Sequence, residues 1–404
     1  MTLIASLAVL LATAHLLGWL AERCGQPALL GQMLAGILLG PSILSWLKPG
    51  PGLAAIADLA VLFVVITAGL EMRIHHVLDT FRGRGIWALA LTFMIPATSA
   101  AAFSLVKGLA FVPVSVVALC ISVTALPVAV RILGTFDLLK TRIASVAIAG
   151  ALLSDISALM LLGILIAVSA SENSGYSVLT TTGIALAKLL LLLLVVGICH
   201  YVCSKLSMRD RLSAAAAQRT PADKVLILAV LFIVVLGVIS EQLGFHFAIG
   251  AFLASLLVTG DLIGDVRFRW LEQTCELMTV SVFGPLFLAY QGVQFDMGAL
   301  GNVALVLGLI IIAVVSKLIG GYAAARLKAL SHYESCGVAI IMNARGVMEM
   351  VIASIAWRAG LVSRELFSAL LIVGIATTVL TPTMLKQWSK NRARMKALLS
   401  ESRA

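Results

Sequence analysis

"LGWLAERCGQPALLGQMLAGILLG", residues 17–40, comes back later in the same chain as "LGVISEQLGFHFAIGAFLASLLVTG", residues 236–260. Shifted by a constant 219 positions, Gly18 falls on Gly237, Glu22 on Glu241, Gly25 on Gly244, Gly31 on Gly250 and Leu34-Ala35 on Leu253-Ala254. Apolar text matches apolar text easily by chance. Glycines and a glutamate matched at one offset point instead to a duplicated unit.

The rest of the chain says where such a unit resides. Of its 404 residues, 61% are hydrophobic and 12% charged, and the mean hydropathy is +1.08, well outside the balance of a soluble domain. Apolar stretches of the length that crosses a bilayer as a helix recur from Leu3 to Leu385 and give about 13 spans. They lie near 2–21, 27–47, 53–71, 85–106, 112–133, 141–169, 177–205, 222–241, 244–260, 273–290, 300–327, 333–357 and 362–385. One copy of the unit begins with the first span and the other with the eighth, seven crossings later, so corresponding helices run in opposite directions. That is an inverted-topology repeat, an architecture of secondary transporters. The expected fold is an all-α polytopic membrane protein built from two inverted six-helix repeats with crossed broken helices. Residues 1–170 form the first repeat, 171–220 a linker helix and cytoplasmic loop, 221–386 the second repeat and 387–404 a basic cytoplasmic tail.

A net charge of +10 raises the question of nucleic acid, and the placement of the charge answers it. Basic residues alternate by loop: Arg23, Arg73, Arg82, Arg84, Lys140, Arg142, Lys205, Arg209, Arg211, Arg219, Lys224, Arg267, Arg269, Arg326 and Lys328 on one side, joined by Lys386, Lys390, Arg392, Arg394 and Lys396 in the tail. The opposite loops hold little beyond Lys48, Lys107, Arg358 and Arg364. By the positive-inside rule the C-terminus is cytoplasmic and the N-terminus outside. The tail suits anionic lipid, and no nucleic-acid partner is expected. The six cysteines are scattered and suggest neither a disulfide framework nor a metal site, His200 and Cys203 lacking a second cluster.

In inverted repeats the site lies near the midplane, where Gly- or Pro-interrupted helices of the two halves meet. The stretch 120–133, "CISVTALPVAVRIL", carries Thr124 and Pro127, and its counterpart 339–352, "AIIMNARGVMEMVI", carries Asn343, Arg345 and Gly346. Proline lacks the amide hydrogen a helix needs, and glycine gives up helical order cheaply. Both stretches are candidates for unwinding, at Ala125, Leu126 and Pro127 in one and at Asn343, Ala344 and Gly346 in the other; a packed proline kink is the plainer alternative for Pro127. Unwound backbone must line a protein cavity, because lipid cannot satisfy it.

Asp155 sits in the middle of the span that follows, "AIAGALLSDISALMLLGIL" (147–165). An ionisable group at that depth usually faces an aqueous path or a partner. A hard monovalent cation wants oxygen ligands, which Asp155, the hydroxyls of Ser154 and Thr124, and freed carbonyls near Ala125 and Leu126 offer. A carboxylate able to hold a proton or a cation, but hardly both, couples the two movements. Lys317, mid-span, is expected to pair with Asp155 in a contact that opens when a cation enters; snorkelling is the alternative. Arg345 and Glu349, four residues apart, share a helix face and neutralise each other in a structural role.

Together these residues resemble the monovalent cation:proton antiporter-2 family, within the sodium/proton exchanger superfamily. "GQPALLGQMLAGILLGPSIL" (25–44), "LFVVITAGLEM" (62–72), "SVTALPVAVRIL" (122–133) and "MNARGVMEMVIA" (342–353) resemble successive family signatures, in order, over nearly the whole chain. The resemblance implies a homodimer whose protomers combine a scaffold with a six-helix core moving like an elevator. It also implies that Asp155 is the essential ion- and proton-binding aspartate and that Lys317 matches the family's core lysine. Where relatives commonly have Asn-Asp, Asp-Asp or Gln-Asp, this chain has Ser154-Asp155, which leaves stoichiometry and electrogenicity open. The expected function is exchange of Na+ or K+ for protons in a membrane, such as a bacterial inner membrane, with no cofactor. The alternative is a potassium efflux pathway without strict proton exchange. An intramembrane enzyme is not expected, since no second catalytic aspartate and no Ser-His pairing occur within the helices.

Overall fold

The structure, a computed structural model, describes residues 2–71, 85–136, 138–139, 141–171, 178–211 and 222–390. Arg73, Arg82, Arg84, Lys140, Arg219 and the tail residues Arg392, Arg394 and Lys396 lie outside the described residues, as do the side chains of Pro127, His200 and Cys203. The described residues are overwhelmingly helical and include no strand.

In chain order the helices are α1 (Leu3–Arg23), α2 (Ala28–Leu39), α3 (Pro51–Glu71), α4 (Gly85–Val106), α5 (Phe111–Ser122), α6 (Leu126–Thr135), α7 (Arg142–Ser171), α8 (Val178–Arg211), α9 (Ala222–Gln242), α10 (Phe247–Leu257), the single turn α11 (Gly260–Ile263), α12 (Asp265–Met278), α13 (Gly284–Val293), α14 (Val303–Leu327), α15 (His332–Met342), α16 (Val347–Arg358) and α17 (Arg364–Ser389).

Among the described residues six helices are long and apolar enough to cross a membrane alone, or seven if the bent pair α15 and α16 is one span. Part of the difference from the expected count has a geometric origin. Helices α2, α5 and α10 hold 12, 12 and 11 residues, which at 1.5 Å per residue reach only about 16 to 18 Å of a roughly 30 Å hydrocarbon layer. The stretch expected as a helix over 27–47 stops at Leu39, because Pro41 excludes the helical conformation from Gly40, which is extended at φ −73° and ψ 179°. Over 273–290 the opposite holds: the helix begins at Asp265 and runs through to Val293. A wide π turn, Thr279–Phe283, precedes Pro285, whose ring would otherwise strike the carbonyl four residues back.

The chain forms two compact units: Met1–Ala57 with His75–Leu162 and Pro285–Ala404, and Asp58–Ile74 with Gly163–Gly284. The 219-residue offset is visible inside each. In the first unit α1 leads into α2 through Gly25 (φ +74°), and in the second α9 leads into α10 through Gly244 (φ +89°); a left-handed turn of this kind suits glycine, which has no Cβ. Adding 219 to the bounds of α1 gives those of α9. Gln26 N–H bonds to Ala21 O in one hairpin, and Phe245 N–H to Ser240 O in the other. A Cβ on Gly31 would lie 2.0 Å from Leu17 O, and one on Gly250 2.2 Å from Leu236 O. Close backbone approach of this sort is how helices associate where lipid supplies no hydrophobic drive.

In the first unit, α4 packs against α5 and α14, α14 against α15, and α16 against α17 and α5. An apolar cluster including Leu133, Ile143, Ala147, Val338, Met342 and Leu385 holds the ends of α6, α7, α15 and α17 around the two helix breaks.

Candidate functional site

Both interrupted stretches unwind. The first breaks at Val123–Ala125, between α5 and α6; the second at Asn343–Gly346, between α15 and α16, with a bend of 41°. Leu126 and Pro127 open α6, where a proline costs no helical hydrogen bond. The two gaps touch: Ala125 N–H donates to Ala344 O (3.0 Å), and the Thr124 hydroxyl donates to Met342 O (3.1 Å). Ala125 and Ala344 are also 219 residues apart, so the offset that relates the hairpins relates the breaks. Ala125 O accepts from Ala129 N–H (2.9 Å) in the first turn of α6, so that carbonyl is not free.

Two buried cations close the C-terminal end of α5. Lys317, completely buried on α14, donates to Ser122 O and Thr124 Oγ1 (2.7 Å) and more distantly to Thr92 O (3.4 Å). Arg345, completely buried in the second gap, donates to Cys120 O (2.9 Å), Ile121 O (2.7 Å) and Glu349 Oε1 (2.9 Å). The last carbonyls of a helix have no intrahelical partner and carry the negative end of its dipole. Cationic donors answer both needs. The expected Arg345–Glu349 pair is therefore formed, and Glu349 sits in the first turn of α16, where an acid suits the positive helix end.

Asp155 lies on α7 with no exposed surface, and both its carboxylate oxygens lack a hydrogen-bond partner among the described residues. The expected Asp155–Lys317 contact is not made. The ammonium is held instead by Ser122, Thr124 and Thr92. Nor does Lys317 snorkel, since its nitrogen points to a helix end inside the protein. The Ser154 hydroxyl donates to Gly150 O (2.8 Å), leaving its lone pairs available. Asn343 caps α15; its backbone carbonyl accepts from the Thr381 hydroxyl (3.1 Å), while its side-chain oxygen and nitrogen are buried without partners among the described residues.

Sequence reasoning missed the carbonyls of Cys120, Ile121 and Ser122 and the hydroxyls of α17. The Thr378 hydroxyl reaches Arg345 O at 3.3 Å and the Thr381 hydroxyl Asn343 O at 3.1 Å, each sharing its proton with a nearer carbonyl of α17, Gly374 O at 2.6 Å and Thr377 O at 2.9 Å, so α17 lays its hydroxyls against the second gap. The signal was there in Thr377, Thr378 and Thr381, three hydroxyls grouped on one face in the apolar later half of a span.

Two broken helices in a chain of apolar spans, crossing at their gaps around buried charge, define a class: polytopic membrane transporters that place a solute at unwound backbone. Residues 10–390 match the family model described as sodium/hydrogen exchanger, transmembrane, and the chain belongs to that family, one of transporters and not of enzymes. It is similar to the Na+/H+-K+ antiporter GerN of Bacillus cereus, 26% identical over 94% of each chain. It is likewise similar to the Na+/H+ antiporter NhaS4 of Synechocystis sp., 26% identical over 94% of this chain and 95% of that one. Among solved structures, the sodium proton antiporter MjNhaP1 of Methanocaldococcus jannaschii shares the fold, with a TM-score of 0.66 over 96% of each chain at 16% identity.

Proposed function

We propose that this protein exchanges a monovalent cation, Na+ or K+, for protons across the membrane, with Asp155 holding the cation and the proton in turn. The observation that carries this reading is the Asp155 carboxylate: wholly buried, unpartnered among the described residues, and in the same compact unit as the two helix breaks. A carboxylate kept from its nearest lysine is a poor structural ion pair and a good exchange site, since burying it unpaired is costly unless a proton or cation joins it. The two relatives described as Na+/H+ antiporters support the substrates, and the K+ in the description of GerN supports K+ as a second cation.

The finer arrangement follows from the sequence. Thirteen spans, the short helices α2, α5 and α10 crossing in company with neighbours, give two inverted six-helix repeats with the N-terminus outside and the C-terminus cytoplasmic. Alternating access then proceeds by elevator-like movement within a homodimer, as the resemblance to the antiporter family implies. Purified protein in proteoliposomes, assayed by pH-dependent fluorescence dequenching with Li+, Na+, K+ and Rb+, tests the reading. Exchange is expected in the native chain and none in Asp155→Asn of normal expression. Exchange retained by Asp155→Asn moves the coupling site elsewhere, and K+ flux without proton movement favours the efflux pathway instead.

A further inference from the structure

We propose that Asn343 is a direct ligand of the transported alkali cation, taking through Oδ1 the place in the ligand set that the sequence gives to Thr124. This rests on the exchange reading above.

The asymmetry between the two helix breaks points there. At the end of α5, the carbonyls of Cys120, Ile121 and Ser122 are met by the guanidinium of Arg345 and the ammonium of Lys317. The negative pole of that half-helix is compensated by fixed positive charge. At the end of α15 the donors are all neutral: the Thr124 hydroxyl on Met342 O, the Thr381 hydroxyl on Asn343 O and the Ala125 amide on Ala344 O. Those carbonyls receive no charged donor, so the partial negative charge of that helix end is not met by an ionic bond of its own.

The duplication sharpens the argument. The 219-residue offset places Asn343 where the first break has Thr124, and places Thr98 where α14 has Lys317. Thr124 Oγ1 carries an ammonium. Thr98, whose hydroxyl donates to Met94 O at 2.8 Å, brings no cation to its counterpart. Asn343 thus presents, in the second break, an oxygen equivalent to one that binds a cation in the first. Its side chain is completely buried with Oδ1 and Nδ2 both unpartnered among the described residues, an arrangement that is costly unless a ligand completes it. A neutral amide oxygen is a hard ligand suited to an alkali ion. Thr124, by contrast, has its proton on Met342 O and a lone pair on Lys317. Its bonds commit it to positioning the crossing.

The test uses full-length protein, native, Asn343→Ala, Asn343→Thr and Asp155→Asn. Apparent KM and maximal rate for Na+ and K+ are measured in proteoliposomes, and the melting-temperature shift produced by NaCl or KCl over choline chloride is measured in detergent. Asn343→Ala is expected to raise the cation KM about tenfold, the order of loss seen when a metal site is disturbed, with most of the maximal rate kept and the cation-induced shift abolished. Asn343→Thr, which keeps a shorter oxygen, is expected to change the Na+ to K+ ratio of KM values. A folded Asn343→Ala with native KM and native shift overturns the proposal. If Asn343→Ala does not fold, a native ratio in Asn343→Thr overturns it. Exchange surviving in Asp155→Asn sinks the exchange reading itself, whereas a dead Asp155→Asn beside a native-like Asn343→Ala sinks this assignment alone.

Discussion

Arg345 and Glu349 form one ion pair, yet removing the two partners should not cost the same. Among the described residues Glu349 accepts from Arg345 alone, through Oε1, whereas Arg345 also supplies Cys120 O and Ile121 O. Deleting one partner of a buried pair leaves an uncompensated charge and costs about 3–5 kcal/mol. That term is common to Arg345→Met and Glu349→Met. Arg345→Met additionally strands two buried carbonyls at the end of α5, each worth about 1–3 kcal/mol when orphaned, so it should exceed Glu349→Met by about 2 kcal/mol or more. The double variant removes both charges, so the unpaired-charge term disappears and the carbonyl term remains. Its stability should lie above that of Arg345→Met and below that of the native chain, a coupling of opposite sign to additivity. SDS unfolding in mixed micelles, with thermal melts of the same samples, measures the order. Equal loss in the two single variants, or a double variant no better than Arg345→Met, would refute the view that Arg345 serves α5 and Glu349 at once.

Lys317→Met removes the ammonium from Ser122 O and Thr124 Oγ1, so melting temperature should fall and cation KM change; an unchanged melt would show that the end of α5 does not depend on it. Gly31→Ala and Gly250→Ala should be damaging to a like degree, because each Cβ would meet a backbone carbonyl at 2.0 and 2.2 Å; thermal melts showing one tolerated and one not would separate the two hairpins. If cation and proton compete for one carboxylate, apparent cation KM should rise as pH falls, approaching about tenfold per pH unit under mass action; stopped-flow exchange at several pH values reads the slope, and a KM independent of pH would exclude a shared group.

Two hairpins of the fold were legible because each is written with the same glycines. Gly25 and Gly244, Gly31 and Gly250 are fixed by backbone geometry, a left-handed turn and a close approach, and such constraints survive in sequence when apolar side chains interchange. The breaks were legible for the same reason, from Pro127 and Gly346. The lengths of α2, α5 and α10 were not, since hydropathy counts apolar residues without seeing where the helix stops; Gly40-Pro41 was the readable exception. Within the site, Asp155 and the Arg345–Glu349 pair could be read from burial cost and from i, i+4 spacing. The partners of Lys317 could not, because a sequence displays acids as candidates for a lysine and hides carbonyls at the end of a broken helix.

The hidden partners change what the charges can do. An ammonium paired to Asp155 would have to be displaced whenever a cation arrived, and its attraction would oppose binding. An ammonium held by Ser122 O and Thr124 Oγ1 instead stabilises a half-helix end that would otherwise sit in the membrane with carbonyls unmet. The same holds for Arg345 at Cys120 and Ile121. Both fixed cations are thereby committed to the α5 end of the crossing, Glu349 balances one of them, and Asp155 is left as the carboxylate without a bonded partner among the described residues. With Lys317, Arg345 and Glu349 each bonded, Asp155 is the buried acid of this crossing whose oxygens still need a hydrogen bond, a proton or a cation to offset their loss of water.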